Sequence, residues 1–305
     1  MPDGTSCLNH KIPSYSARYA PVIGVVGKWL MLCGGDSTQD CRKLDLTLPT
    51  PSWQQGVNLP YRSRYGMMYT IDNYLYILGG YDGYYGYYRN YHYRISETGS
   101  SWEGRAAFPR NEIHKAAAVV DEDNSRVFIL GGRDYYYWRS EVYIYTPSSN
   151  SWSSITNYPE SGMIAATIVK QNSGKRWLVA QSYSSSRRSY AWNIDDWNGW
   201  HHISTNPFYH NRRFFFLSLT PYTAFGLGGE TNINGISKQN FFAYSPENQR
   251  FEMQTKFLSG EHAYGYWTTA RRDLTVLNNC NAERTYVAVG YGGNDYVGFL
   301  QCVHQ

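Results

Sequence analysis

Tyr74-Leu75-Tyr76-Ile77-Leu78-Gly79-Gly80 is a short apolar run closed by a doubled glycine, and Trp102 follows it downstream. The same arrangement recurs at Gly34-Gly35 with Trp53, at Gly131-Gly132 with Trp152 and at Gly228-Gly229 with Phe251, and a fifth pair stands at Gly292-Gly293. Successive pairs lie 45, 52, 97 and 64 residues apart, and 97 is close to two repeats, so a degenerate copy belongs in that gap. Arg176-Trp177-Leu178-Val179-Ala180-Gln181-Ser182, followed by Trp200, fills it without the glycines. Six such units in 305 residues predict a closed repeat array, most simply a six-bladed β-propeller.

A strand ending in Gly-Gly can turn sharply, because glycine reaches positive φ at little steric cost. It also lets neighbouring backbones approach closely at the crowded centre of a radial array. The aromatic that follows is large and apolar, suited to the wedge between adjacent units. Within a unit, β-rich runs broken by turn residues predict four antiparallel strands. In the clearest unit these are Tyr65 to Thr70, Tyr74 to Leu78, Tyr91 to Ile95, and a strand opened by Trp102. The next repeats the pattern with Ala116 to Val120, Arg126 to Leu130, Glu141 to Tyr145 and Trp152. The fold class is therefore all-β, and residues 1–305 read as a single domain.

This pattern resembles the kelch motif over nearly the whole chain: Gly-Gly, an aromatic in the third strand, then Trp. The third-strand aromatics are read as Tyr93, Tyr145, Trp192 and Tyr244. Departures are Leu44 and Leu46 at that position in the first unit, the missing glycines of the fourth, and Phe251 in place of Trp in the fifth. The last unit, with strands near Tyr264 to Ala270, Thr285 to Val289 and Tyr296 to Val303, ends one strand short. A spare N-terminal segment, 7–12, is expected to supply the missing outer strand and so remove a free edge.

No apolar run reaches 18 residues, so no transmembrane helix is expected. The net charge of +4 is modest and the basic residues are scattered, so nucleic acid is not an expected partner. No basic start followed by an apolar stretch is visible, and none of the 21 asparagines is an Asn-x-Ser/Thr acceptor. A cytoplasmic monomer is the expectation, with secretion as the alternative. Five cysteines leave at least one unpaired or bonded to another chain. Cys7 and Cys302 fall on the two strands expected to close the ring, and Cys33 and Cys41 bracket the first Gly-Gly loop; both are candidate disulfides, and in a reducing cytosol all are thiols. No pair has zinc-ligand spacing.

In a four-stranded antiparallel unit, the end of the second strand and the start of the first share one face. That face carries tyrosine-rich loops: Tyr81, Tyr84 and Tyr85 after the second glycine pair, Arg133, Tyr135 and Tyr136 after the third, and Tyr183 with Arg187-Arg188 in the fourth unit. Tyrosine combines large contact area with low entropic cost and a hydroxyl, as in antibody loops. Aligned inner-strand starts give a polar ring of Arg18, Arg64, His114, Ser161, Arg212 and His262, with Arg62, Glu112, His210, Arg213 and Glu261 as neighbours and Tyr264 as a further candidate. Such a ring suits an acidic peptide, a carboxylate or a phosphate.

The leading expectation is thus a binding module for a protein segment or small polar or anionic ligand, in keeping with the kelch resemblance. The alternative is an enzyme using the same funnel, as a few kelch-like propellers are; no Cys lies in the loops that would meet the histidines, as a copper-radical oxidase requires, and the Glu-x-x-x-Asp-x-x-x-His iron motif of the specifier proteins is absent. His114, His210 or His262 would then act as acid or base, with Glu112 or Glu261 assisting. No cofactor is expected, although three converging imidazoles at His114, His210 and His262 could form an open metal site. A structural protein that bundles through exposed tyrosines is a third reading.

Overall fold

Apolar runs such as Val22-Ile23-Gly24-Val25-Val26 are buried along their whole length, which a strand achieves only when both its faces are covered. The computed structural model describes residues 20–35, 38–48, 51–182, 188–205, 212–220, 223–233, 236–247, 250–253, 267–272, 284–292 and 295–303, with side chains up to 203 and at 244–247.

The first sheet holds β1 (Val22–Val26), β2 (Trp29–Cys33), β3 (Cys41–Asp45) and β4 (Trp53–Gln55). The second holds β5 (Met67–Ile71), β6 (Tyr74–Asp82), β7 (Tyr87–Ser96) and β8 (Glu103–Gly104). The third holds β9 (Ala117–Asp121), β10 (Arg126–Leu130), β11 (Val142–Thr146) and β12 (Ser151–Ile155). The fourth holds β13 (Ile164–Lys170), β14 (Arg176–Ser182), β15 (Arg188–Asn193) and β16 (Trp200–Thr205). The fifth holds β17 (Arg212–Thr220), β18 (Thr223–Ile233), β19 (Ile236–Ser245) and β20 (Arg250–Met253). The last has β21 (Trp267–Arg272), β22 (Arg284–Gly292) and β23 (Asp295–Val303).

Every sheet is an antiparallel meander in chain order. First strands of successive sheets lie side by side, β1 by β5, β5 by β9, β9 by β13, β13 by β17 and β17 by β21, and β21 returns to lie beside β1. The last sheet shows three strands among the described residues. The segment 7–12 expected as its fourth lies outside them, as does Cys7; of Cys302 only the backbone, in β23, is described.

The core is divided into slabs between neighbouring sheets. Val22, Met31, Leu75 and Ile77 fill the first gap; Met67, Leu78, Phe108, Val127 and Tyr145 the second; Val119, Leu130, Tyr158, Leu178 and Tyr190 the third. The wedge Trp does more than fill space. Its indole N–H donates to a carbonyl just past the outer strand of the preceding sheet: Trp102 to Val57 at 3.1 Å, Trp152 to Ala106 at 2.9 Å and Trp200 to Thr156 at 3.4 Å.

The glycine pairs make the complementary contact with the following unit. Gly35 N–H donates to Ser63 O (2.8 Å), Gly80 N–H to Ile113 O (2.8 Å) and Gly132 N–H to Gly162 O (3.1 Å). The first glycine of a pair lies so close that a Cβ on Gly79, at φ +64°, would stand 2.2 Å from Ile113 O. The fourth unit dispenses with glycine because β14 runs straight through Ala180 and Gln181, which pair with Tyr190 and Ser189.

Two expectations require correction. Ile95, not Tyr93, holds the third-strand position in the second sheet: Ile95 pairs with Leu75 as Tyr145 pairs with Val127 in the third. The residues after Gly80 are not a long loop either. β6 continues through an irregularity between Leu78 and Gly80 and pairs Tyr81 with Tyr88 and Asp82 with Tyr87, leaving a short turn. Cys33 and Cys41, direct partners on β2 and β3, form a disulfide.

Gly79→Ala is expected to cost about 3 kcal/mol or more in denaturant unfolding, from left-handed strain plus the carbonyl clash. Gly86→Ala, also at positive φ but with nothing within 4 Å of the added Cβ, is expected to cost about 1 kcal/mol. Equal costs for the two would refute the close-approach argument.

Candidate functional site

The first three glycine pairs each seat the segment that leads into the next inner strand, and these segments carry candidate residues. Arg64 and Tyr81 exchange backbone hydrogen bonds at 3.0 and 2.8 Å, and His114 and Arg133 do the same one unit later at 3.1 and 2.8 Å. Arg64 and His114 are therefore structural equivalents, as the alignment of inner-strand starts predicts. The next residues, Tyr65 (φ +59°) and Lys115 (φ +56°), are left-handed, as is Ala20 (φ +56°). They link successive units: Tyr65 N–H donates to Ala20 O at 3.1 Å, and Lys115 N–H to Tyr65 O at 2.9 Å. No residue type signals this position, since all three side chains would avoid it in isolation.

The turns beyond the glycine pairs are capped by an aspartate whose recurrence is visible in sequence but whose role is not. Asp82 accepts from the backbone N–H groups of Tyr84 (3.1 Å) and Tyr85 (3.4 Å). Asp134, two residues after Gly132 as Asp82 is after Gly80, accepts from Tyr136 (3.0 Å) and Tyr137 (2.7 Å) and from Arg139 Nε (2.7 Å). Burial opposes charge on Asp134, but these donors outweigh it and hold the carboxyl below its usual range. Such caps present the intervening side chains outward. Tyr84, Tyr85, Tyr87, Tyr135, Tyr136, Tyr137 and Trp138 are all exposed, Tyr136 by 72%.

Arginines lie among these rings. The Arg62 guanidinium sits 4.6 Å from the centre of the Tyr84 ring and 5.8 Å from that of Tyr85; Arg64 sits 4.5 Å from Tyr81; Arg89 sits 5.1 Å from Tyr87 and pairs with Asp82 at 3.7 Å. Tyr88 joins the two units, its ring 4.6 Å from His114 and 5.6 Å from Tyr135. Glu112 braces the second loop by accepting from Tyr135 N–H at 2.6 Å.

His114 departs from expectation. It is only 3% exposed, and burial, with Lys115 and Arg133 adding to it, pushes its pKa down to about 3. It contributes a neutral imidazole under Tyr88, not a cation in a solvent-facing ring, and such a group is a weak acid–base catalyst near neutral pH. Arg18, Tyr183, His210, Glu261, His262 and Tyr264 lie outside the described residues, and of Arg212 only the backbone, in β17, is described. Among the described residues no three His, Cys, Asp or Glu side chains are grouped to hold a metal, and no helix is long and apolar enough to cross a membrane.

No protein-family model matches the sequence, and no curated protein matches it in sequence. The solved structure of YjhT, a propeller, superposes with a TM-score of 0.67 over 95% of this chain and 96% of that one, at 14% identity. The chain is a β-propeller. At that identity the likeness establishes the propeller fold alone.

His92 is a second buried imidazole. Burial lowers its pKa to about 3; one ring nitrogen faces Ala106 O at 3.2 Å and the other the Tyr69 hydroxyl at 2.6 Å. Unfolded, both histidines take up protons below about pH 6.5; folded, only near pH 3. The unfolded propeller binds more protons across this window, so stability should fall steadily as pH drops through it. Urea melts at several pH values test this, and a flat profile would contradict it.

Proposed function

We propose that the chain is a six-bladed, kelch-type propeller acting as a stand-alone binding module, with a protein segment or a small anionic ligand held on the face that carries the Gly-Gly turns. The observation behind this is the band of exposed aromatic rings on two adjacent turns, interleaved with arginines. Clustered exposed apolar surface marks interaction sites on monomeric proteins. Tyrosines held on capped turns lose little entropy on binding, and arginines among them select negative charge.

The Cys33–Cys41 disulfide supports an oxidising compartment over the cytoplasm that the sequence alone favours. The neutral, covered state of His114 supports binding over acid–base catalysis in this part of the face.

The double variant Tyr84→Ala/Tyr136→Ala should weaken binding of a partner that co-purifies with the wild-type chain by at least about tenfold, the loss of one or two well-packed aromatic contacts. Its melting temperature should hardly change, because both rings are exposed. Unchanged affinity would place the binding surface elsewhere.

A further inference from the structure

A polar cleft opens between the first two sheets on the same face. Thr38, Gln39 and Asp40 of the β2–β3 connection line it together with Asn58, Arg62 and the Gly83-Tyr84 turn; its volume is about 660 Å³. That lies within the range of small-molecule sites.

Its walls are held firmly. The stretch 38–40 is anchored by the Cys33–Cys41 disulfide, by Leu59 N–H donating to Gln39 O at 2.8 Å, and by Asp40 N–H donating to Thr38 Oγ1 at 3.1 Å. Tyr84 is held by the Asp82 cap.

The polar groups of the walls are largely answered within the fold. Asp40 accepts from Arg42 Nε at 3.0 Å and from Gln55 at 3.2 Å, while Asn58 Oδ1 accepts from Cys41 N–H at 3.3 Å and from Gln55 at 2.9 Å. Arg62 differs. Among the described residues it has no carboxylate partner, and its guanidinium is steadied by the Tyr84 and Tyr85 rings. The N–H donors of a guanidinium lie in one plane, where they match the two oxygens of an oxyanion.

The geometry points to an oxyanion site in this cleft: a ligand carboxylate or phosphate pairs with Arg62 while the attached group lies along Tyr84. This rests on the reading of the face as a binding face and deepens it by naming the recognised group. Two sources carry that chemistry, a free small anion and an acidic side chain of a protein segment crossing the face.

Calorimetric titration of the full chain with inorganic phosphate, glutarate and acetyl-hexaglutamate amide tests the site. At least one probe should bind one to one with a Kd of about 1 mM or tighter. Arg62→Gln should weaken that binding about tenfold to a hundredfold. Arg94→Gln, which removes a cation paired with Glu103 on β8, should leave it unchanged. Hexaglutamate binding much tighter than glutarate identifies a protein segment as the source; glutarate or phosphate binding as tightly identifies a free anion.

No saturable binding of any probe up to about 10 mM, or binding that Arg62→Gln leaves intact, overturns the proposal. Loss of the co-purifying partner in Tyr84→Ala/Tyr136→Ala, with full binding in Arg62→Gln, would keep the binding face and remove this site.

Discussion

The contact on which the structure turns is the hydrogen bond from the second glycine of the first three pairs to a carbonyl of the next unit. It joins Gly35 to Ser63, Gly80 to Ile113 and Gly132 to Gly162. Only a residue without Cβ, in a left-handed conformation, brings β2, β6 or β10 that close to the following segment. The segments so held carry Arg62, Arg64 and His114. One steric requirement therefore sets both the packing of neighbouring sheets and the placement of the candidate face. The tryptophan bonds from Trp102, Trp152 and Trp200 couple each unit to the one before it.

Because the core consists of slabs between sheets, each unit is completed by its neighbours. Tyr145 illustrates this: it is fully buried, packs against Tyr76 of the preceding sheet, and accepts from Arg105 Nε at 3.2 Å. The fourth unit shares a further contact with the second. There Tyr158 donates its hydroxyl proton to Ala180 O at 3.1 Å, as Tyr61 does to Gly79 O at 2.8 Å two units earlier. That bond ties the second strand to the segment preceding the first within one unit, whether or not the unit carries a glycine pair.

Most of the fold was legible because glycine and tryptophan are each demanded by a steric role that few other residues fill. Strands such as Arg126–Leu130 and Arg176–Ser182 match their apolar runs residue for residue. The third-strand residue of the second unit was not legible. Tyr93 and Ile95 are both candidates on one face, and only the ladder, pairing Ile95 with Leu75, decides between them. Likewise the glycines before Tyr81 read as the end of a strand, although the ladder continues past them to Asp82. The site was legible as composition, tyrosine with arginine, but not as geometry. His114 appears polar and axial in sequence, and it is buried with the Tyr88 ring of the neighbouring sheet's β7 packed 4.6 Å from it. Arg62 reads only as a neighbour of the polar ring until Tyr84 is found beside it.

Amide hydrogen exchange of Gly35, Gly80 and Gly132 tests the role of the glycine bonds most directly. These groups lie in the connections of the candidate face, where local openings would ordinarily make exchange fast. If the glycine bonds hold the units together, the three amides exchange only through global unfolding, as slowly as the central strands at Leu30 and Ile77. Exchange as fast as that of the exposed turn tips would show that the glycine bonds do not hold the sheets together, and would contradict the account.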